Sequence, residues 1–146
     1  MGHMSYSITL RVYQTNRDRG YFSIVEKTVW HFANGGTWSE ANGAHTLTQG
    51  GSGTSGVLRF LSTKGERITV AVGVHNYKRW CDVVTGLKPD ETALVINPQY
   101  YNNGGRDYVR EKQLAEYSVT SAIGTKVEVV YTVAEGNNLE ANVIFS

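Results

Sequence analysis

The feature that most constrains this chain is a two-residue hydrophobic period that recurs from one end to the other. Tyr6, Ile8, Leu10 and Val12 alternate with Ser7, Thr9, Arg11 and Tyr13, and Ile68, Val70, Val72 and Val74 alternate with Thr69, Ala71 and Gly73. The pattern returns in Val127, Val129, Tyr131 and Val133, then in Leu139, Ala141, Val143 and Phe145. Successive side chains of a strand point to opposite faces, so this period predicts half-buried strands rather than amphipathic helices. Shorter strands are expected over residues 21–32, 45–48 and 57–61. The punctuation agrees, because 16 glycines against only Pro89 and Pro98 favour tight turns over disordered linkers. Asn34-Gly35-Gly36 marks one such turn, and Glu135-Gly136-Asn137-Asn138 reads as the turn of a C-terminal hairpin.

The middle of the chain behaves differently. Lys88-Pro89-Asp90-Glu91 puts proline and acids where a helix begins, which predicts a short helix through Thr92-Ala93-Leu94-Val95-Ile96, ended or kinked by Pro98. Residues 106–117, with Val109 and Leu114, offer a second helical or irregular stretch. Strands before and after one helical insert predict a mainly β protein, a β-sandwich of two sheets. At 146 residues one domain suffices. Met1-Gly2-His3-Met4 reads as a cloning remnant ahead of a single domain over 5–146, so His3 stays out of any site.

Composition narrows the function. Lys and Arg number 14 against 13 Asp and Glu, and a net charge of +1 gives no broad attraction to nucleic acid or to an anionic membrane. No apolar run is long enough to span a bilayer. A lone cysteine, Cys81, and an N-terminus without a signal-like apolar stretch predict a reduced, cytoplasmic location.

The chemistry concentrates in Val74-His75-Asn76-Tyr77-Lys78-Arg79-Trp80-Cys81-Asp82, directly after an alternating strand. An imidazole, an amide, an indole and a carboxylate supply donors, acceptors and flat apolar faces, which together match a sugar's hydroxyls and its C–H face. Gly51-Ser52-Gly53-Thr54-Ser55-Gly56 spells the dinucleotide fingerprint, but Val57-Leu58-Arg59-Phe60-Leu61 follows as strand where the motif requires a helix. It reads instead as a tight loop whose backbone a ligand can approach. His31, His45 and His75 show no metal-ligand spacing, and no metal or cofactor is expected. Cys81 reads as a buried thiol rather than a nucleophile. Asp82, Asp107 and Glu111 are the carboxylates a glycosidase would need, whereas Arg106 and Asp107 read as a surface ion pair. Tyr77, Trp80, Tyr100, Tyr101, Tyr108 and Tyr117 crowd the same region, where rings stack on sugars or enter a membrane interface; roughly half are expected to be structural.

Tyr6 to Tyr13, Ala33-Asn34-Gly35-Gly36-Thr37-Trp38, the Gly50 to Gly56 loop and Gly73 to Asp82 together resemble the fungal fruit-body lectin family. Thr92 to Asn97 and Tyr131-Thr132-Val133 fit the same pattern. The resemblance implies two sheets connected by a helix-loop-helix segment, an actinoporin-like architecture, and assembly as a homotetramer. It also implies two sugar sites and no enzymatic activity. Ala33, Ser52, Gly53, His75 and Asn76 match a site for N-acetylgalactosamine and the Galβ1-3GalNAc (T-antigen) disaccharide. Asp82, Val83, Thr85, Arg106 and Tyr117 match a site for N-acetylglucosamine. The expected partners are glycans of glycoproteins and cell surfaces, cross-linked by a multivalent oligomer that acts as a defence toxin against grazers.

Two rivals come from other classes. A membrane-binding, pore-forming cytolysin is suggested by the architecture and the aromatic cluster, but such proteins insert an amphipathic N-terminal helix, whereas residues 5–15 alternate at period two. A glycosidase requires turnover, and none is expected.

Overall fold

Residues 5–30 and 35–146 are described by a computed structural model, in which the alternating segments become strands of two sheets. β1 (Tyr6–Gln14), β3 (Gly36–Ala41), β4 (Ala44–Gln49), β8 (Glu116–Thr120), β9 (Lys126–Val133) and β10 (Asn138–Phe145) form a six-stranded sheet in the order β3-β4-β1-β10-β9-β8. β2 (Phe22–Trp30), β5 (Ser55–Ser62), β6 (Arg67–His75) and β7 (Lys78–Val84) form the other in the order β2-β5-β6-β7. All pairings are antiparallel except β1 with β10, which closes the chain's two ends side by side, Ile8 opposite Leu139.

The alternation works as expected in the six-stranded sheet. Ile8, Leu10, Leu47, Val127, Val129, Ala141 and Val143 point inward and are buried, against Leu58, Phe60, Val70, Val72, Cys81 and Val83 of the facing sheet. Phe145 stacks on Phe22 at 4.2 Å between ring centroids and meets Phe60 edge-on at 4.9 Å. The C-terminal hairpin forms as predicted, although a bulge between Glu140 and Ala141 leaves Val133 exposed rather than inward.

The central strands depart from the half-buried expectation. Thr69 and Ala71, on the outward face of β6, are as buried as Val70 and Val72. They lie under a second apolar cluster of Val57, Ala71, Trp80, Ala93, Ile96 and Tyr100, in which the helical segment covers the outer face of the four-stranded sheet. A strand buried on both faces needs small residues on the crowded side. Gly73 is the limiting case: a Cβ there would come within 2.7 Å of the Trp80 indole, the Thr54 carbonyl and the Ser55 side chain.

That helical segment consists of α1 (Ala93–Ile96), a 3-10 turn over Asn97–Tyr100, and α2 (Asp107–Lys112). The first helix begins later than Pro89 predicts. Lys88 to Glu91 close a turn, Lys88 N–H donating to the Glu91 carboxylate at 2.9 Å, and Thr92 caps the helix. Glu26 of β2 accepts from the N–H groups of Ala93 at 2.7 Å and Leu94 at 3.0 Å, so a neighbouring strand satisfies donors at the helix start. Pro98 sits in the tighter 3-10 turn, as a helix-ending proline should. The second helix stops at Gln113, which takes a left-handed conformation, and Tyr117 belongs to β8 instead. No described helix is long and apolar enough to cross a membrane.

Candidate functional site

The His75-Asn76 region is the tip of the β6–β7 hairpin. Asn76 (φ 48°) and Tyr77 (φ 66°) both take positive φ, the requirement of a two-residue hairpin turn. Asparagine tolerates this conformation and tyrosine rarely does, so Tyr77 must be held. Its N–H donates to the Ser52 hydroxyl at 3.0 Å. Gly53 N–H donates to the Val74 carbonyl at 2.8 Å and Val74 N–H returns to the Thr54 carbonyl at 3.1 Å, which lashes the Gly-Ser loop to the end of β6. Ser52, Gly53, His75 and Asn76 are thereby brought together at the hairpin tip. Ala33 lies outside the described residues. No helix follows the loop; β5 does, and with it the dinucleotide reading ends.

Asn76 is exposed and His75 half-buried. Gln113 donates to the His75 carbonyl at 2.7 Å, and the Arg110 guanidinium lies 3.2 Å from His75 Nδ1. Burial, and then the Arg110 charge, hold the imidazole below its ordinary pKa, with Glu111 pulling the other way. The ring is therefore neutral at neutral pH.

The second set of residues lies toward the other end of β7. From Lys78 to Asp82 at about 3.3 Å per residue is roughly 13 Å, and Thr85 lies roughly 10 Å farther on. Asp82 is only 6% exposed. Its Oδ2 accepts from the Tyr100 hydroxyl at 2.6 Å. Burial raises the carboxyl above its usual range, while the bonds from Tyr100 and the Val83 N–H, and the charges of Arg106 and Lys112, oppose that rise. Arg106 is oriented by Gln99, to whose side-chain oxygen its Nε donates at 2.9 Å. It makes no surface pair with Asp107, which instead accepts from Asn103 N–H at 2.8 Å and lies 3.9 Å from Arg110. Tyr117, 36% exposed on the edge strand β8, has a phenol raised first by burial and then by the Asp82 charge, so the two share one neighbourhood. The Val83 side chain packs between the sheets, so only its backbone is open to a polar contact. Thr85 follows β7 on the partly exposed rim.

The aromatic cluster divides evenly. Tyr77, Tyr108 and Tyr117 are exposed, whereas Trp80, Tyr100 and Tyr101 are buried. Trp80 is therefore no sugar-stacking face: it is fully buried and packs 5.0 Å from Tyr100 beneath the helical segment. Cys81 is also buried, its thiol pushed up to about 12 mainly by burial, which makes it unreactive. Among the described residues no cluster has the ligands to hold a metal. What reading the sequence missed is the supporting layer of Gln99, Arg110 and Gln113, and the bond from Tyr100 to Asp82, contacts between residues distant in the chain.

A family model described as fungal fruit body lectin matches residues 4–143. The chain is 82% identical over 143 residues to Boletus edulis lectin from Boletus edulis, covering 98% of this chain and all of that protein. It superimposes with a TM-score of 0.99 on a crystal structure of a methionine-substituted Xerocomus chrysenteron lectin, at 98% identity, covering 99% of this chain and all of that one.

Proposed function

The chain belongs to the fungal fruit body lectin family and binds carbohydrate, and on that premise we propose that it does so through two separate pockets of different specificity. The turn pocket of Ser52, Gly53, His75 and Asn76, with Ala33, takes N-acetylgalactosamine and Galβ1-3GalNAc. The Asp82, Val83, Thr85, Arg106 and Tyr117 pocket takes N-acetylglucosamine. The observation that carries this reading is the contrast of chemistry along the β6–β7 hairpin, neutral donors and acceptors at its tip and, farther along β7, a buried carboxylate that feels the Arg106 charge.

Asn76 both donates and accepts, as neighbouring sugar hydroxyls require, and Ser52 keeps a hydroxyl proton to give while accepting from Tyr77. In the second pocket Asp82 accepts, Arg106 donates and Tyr117 forms a wall, with charge strengthening each bond. Shallow pockets that must shed water bind at about micromolar to millimolar affinity. A homotetramer then gains roughly 10²–10⁴-fold on a glycan-covered surface. Such cross-linking suits a cytoplasmic protein stored for defence against grazers.

Calorimetric titration with Galβ1-3GalNAc, followed by N-acetylglucosamine added to the saturated protein, tests the reading. Two independent events near one per subunit are expected, and Arg106→Ala should remove only the second. If neither sugar gives heat at about millimolar concentration and sugar-free liposomes leak dye, the protein is a cytolysin instead.

A further inference from the structure

We propose that Arg110 is a positioning residue of the hairpin-tip pocket: it fixes His75 with Nδ1 as an acceptor turned to the protein and the ring proton on Nε2, turned to Asn76. The proposal rests on the two-pocket reading.

The argument begins with what each group can do. A guanidinium only donates, so an Arg110 Nη1 lying 3.2 Å from Nδ1 requires that nitrogen to accept and carry no proton. A neutral imidazole then holds its proton on Nε2, 3.3 Å from Asn76 Nδ2, so two donors meet there unless the amide is turned over about its last bond, which exchanges its nitrogen for its oxygen. The Nε2–H is satisfied when the amide presents its oxygen. The Asn76 NH2 group, with two donors, then faces the pocket. Arg110, His75 and Asn76 form a chain of bonds with one direction, in which each member polarises the next and the last donates at the surface. Without the guanidinium, both tautomers of His75 are open, and with them both orientations of the amide.

Arg110 is itself firmly set. Its Nε donates to the Tyr100 carbonyl at 2.5 Å, and its guanidinium lies over the Tyr101 ring at 4.6 Å. Tyr101 stacks on Trp30 at 4.2 Å and bonds Ser55 through its hydroxyl at 2.6 Å. The side chain is only 18% exposed, yet its nearest carboxylate, Asp107, is 3.9 Å away. That carboxylate already accepts from the N–H groups of Asn103 and Gly105. The Asp107 pair is long and engages Nη2 rather than Nη1, and among the described residues the side-chain acceptor at bonding distance from Nη1 is the His75 ring. One turn on, Gln113 holds the His75 carbonyl, so the end of α2 fixes both ring and backbone of the same residue.

Arg110→Met keeps an apolar stem over Tyr101 and removes the donors, and Arg110→Lys retains charge and a single donor group. Nitrogen-15 spectra of the histidine rings at neutral pH, with His75 assigned by substitution, report the tautomer directly. The wild-type chain should show His75 protonated on Nε2 alone, and Arg110→Met should show a mixture. Galβ1-3GalNAc affinity should then fall about tenfold, with N-acetylglucosamine affinity within about twofold of wild type and partial recovery in Arg110→Lys. A wild-type proton on Nδ1 overturns the proposal, as does an Arg110→Met protein with unchanged ring spectrum and disaccharide affinity. Equal weakening for both sugars overturns it too, since that is general loosening. A wild-type chain that binds neither sugar brings down the two-pocket reading before any variant is made, which separates that failure from failure of Arg110.

Discussion

The proposed hairpin-tip pocket and the proposed Asp82 pocket share the β6–β7 hairpin and are built on opposite principles. At the tip, polarity comes from backbone held in unusual conformations, from half-buried Ser52 and His75 and from exposed Asn76, with no carboxylate among them. Around Asp82, polarity comes from a carboxylate withdrawn from water and made tolerable by the Tyr100 hydroxyl and the Val83 N–H. Burying a charge costs several kcal/mol unless such bonds are present. One site is therefore specified by local turn geometry, and the other by which distant residues pack over it.

The sharpest way to break this contrast is to remove the tip amide without disturbing the turn. Glycine adopts the left-handed backbone of Asn76 readily, so Asn76→Gly deletes only the side chain, whereas alanine would add about 1 kcal/mol of strain. Galactose-type affinity should drop on the order of 100-fold, with N-acetylglucosamine affinity unchanged; calorimetry with both sugars reads the split, and equal loss at both would merge the pockets into one. Tyr100→Phe probes the other end. It leaves the buried Asp82 oxygen without its donor, so stability should fall by about 1–3 kcal/mol in urea unfolding. N-acetylglucosamine affinity should weaken about tenfold while the disaccharide binds as before. Unaltered stability would mean that Asp82 does not depend on its buried partner, and the contrast would lose its second half.

The same contrast explains what could be read from the sequence. Strands with one wet face announce themselves, as Ile8 and Leu10 or Val127 and Val129 do, because alternation is a local property. The hairpin tip was legible for a similar reason: Asn76 directly follows an alternating run, and the turn needs only its neighbours. β6 misled, because Thr69 and Ala71 look like an outer face until the helical segment is seen to cover it. Trp80 misled in the same way, since an indole beside polar residues reads as a sugar platform when nothing local reveals its cover. In the second pocket Asp82 and Arg106 were named from resemblance, but their orienting partners Tyr100 and Gln99 are contacts made only by folding, as is the bond from Arg110 to His75.

Acid should sharpen the comparison most gently, because the two pockets titrate in opposite senses. Burial, followed by the Arg110 charge, lowers His75, and burial, followed by the Lys27 charge, lowers His45 on the far side of the sandwich; Glu111 and Glu40 respectively oppose these shifts. As pH falls below the ordinary histidine value of 6.5, the unfolded chain takes protons that the folded rings still refuse, so their contribution to stability is complete above 6.5 and declines from there toward the folded pKa values. Asp82 has the reverse sign. Its raised pKa makes the folded state take a proton first, so falling pH through that value toward 3.8 relieves the cost of burying a charge. Denaturant unfolding across this range should show a decline from the two rings that the Asp82 gain offsets in part. His45→Gln should make the first decline shallower without removing it, leaving the part due to His75. Sugar binding should separate further, since a His75 that resists protonation keeps the tip pocket competent below 6.5, whereas protonating Asp82 weakens the second pocket while folding is favoured. In an Asp82→Asn protein, stability that rises as pH first drops below 6.5 would show that at least one ring takes its proton more readily folded than unfolded, and if the rise persists with His45→Gln added, that ring is His75 and the description of the tip as a neutral pocket fails.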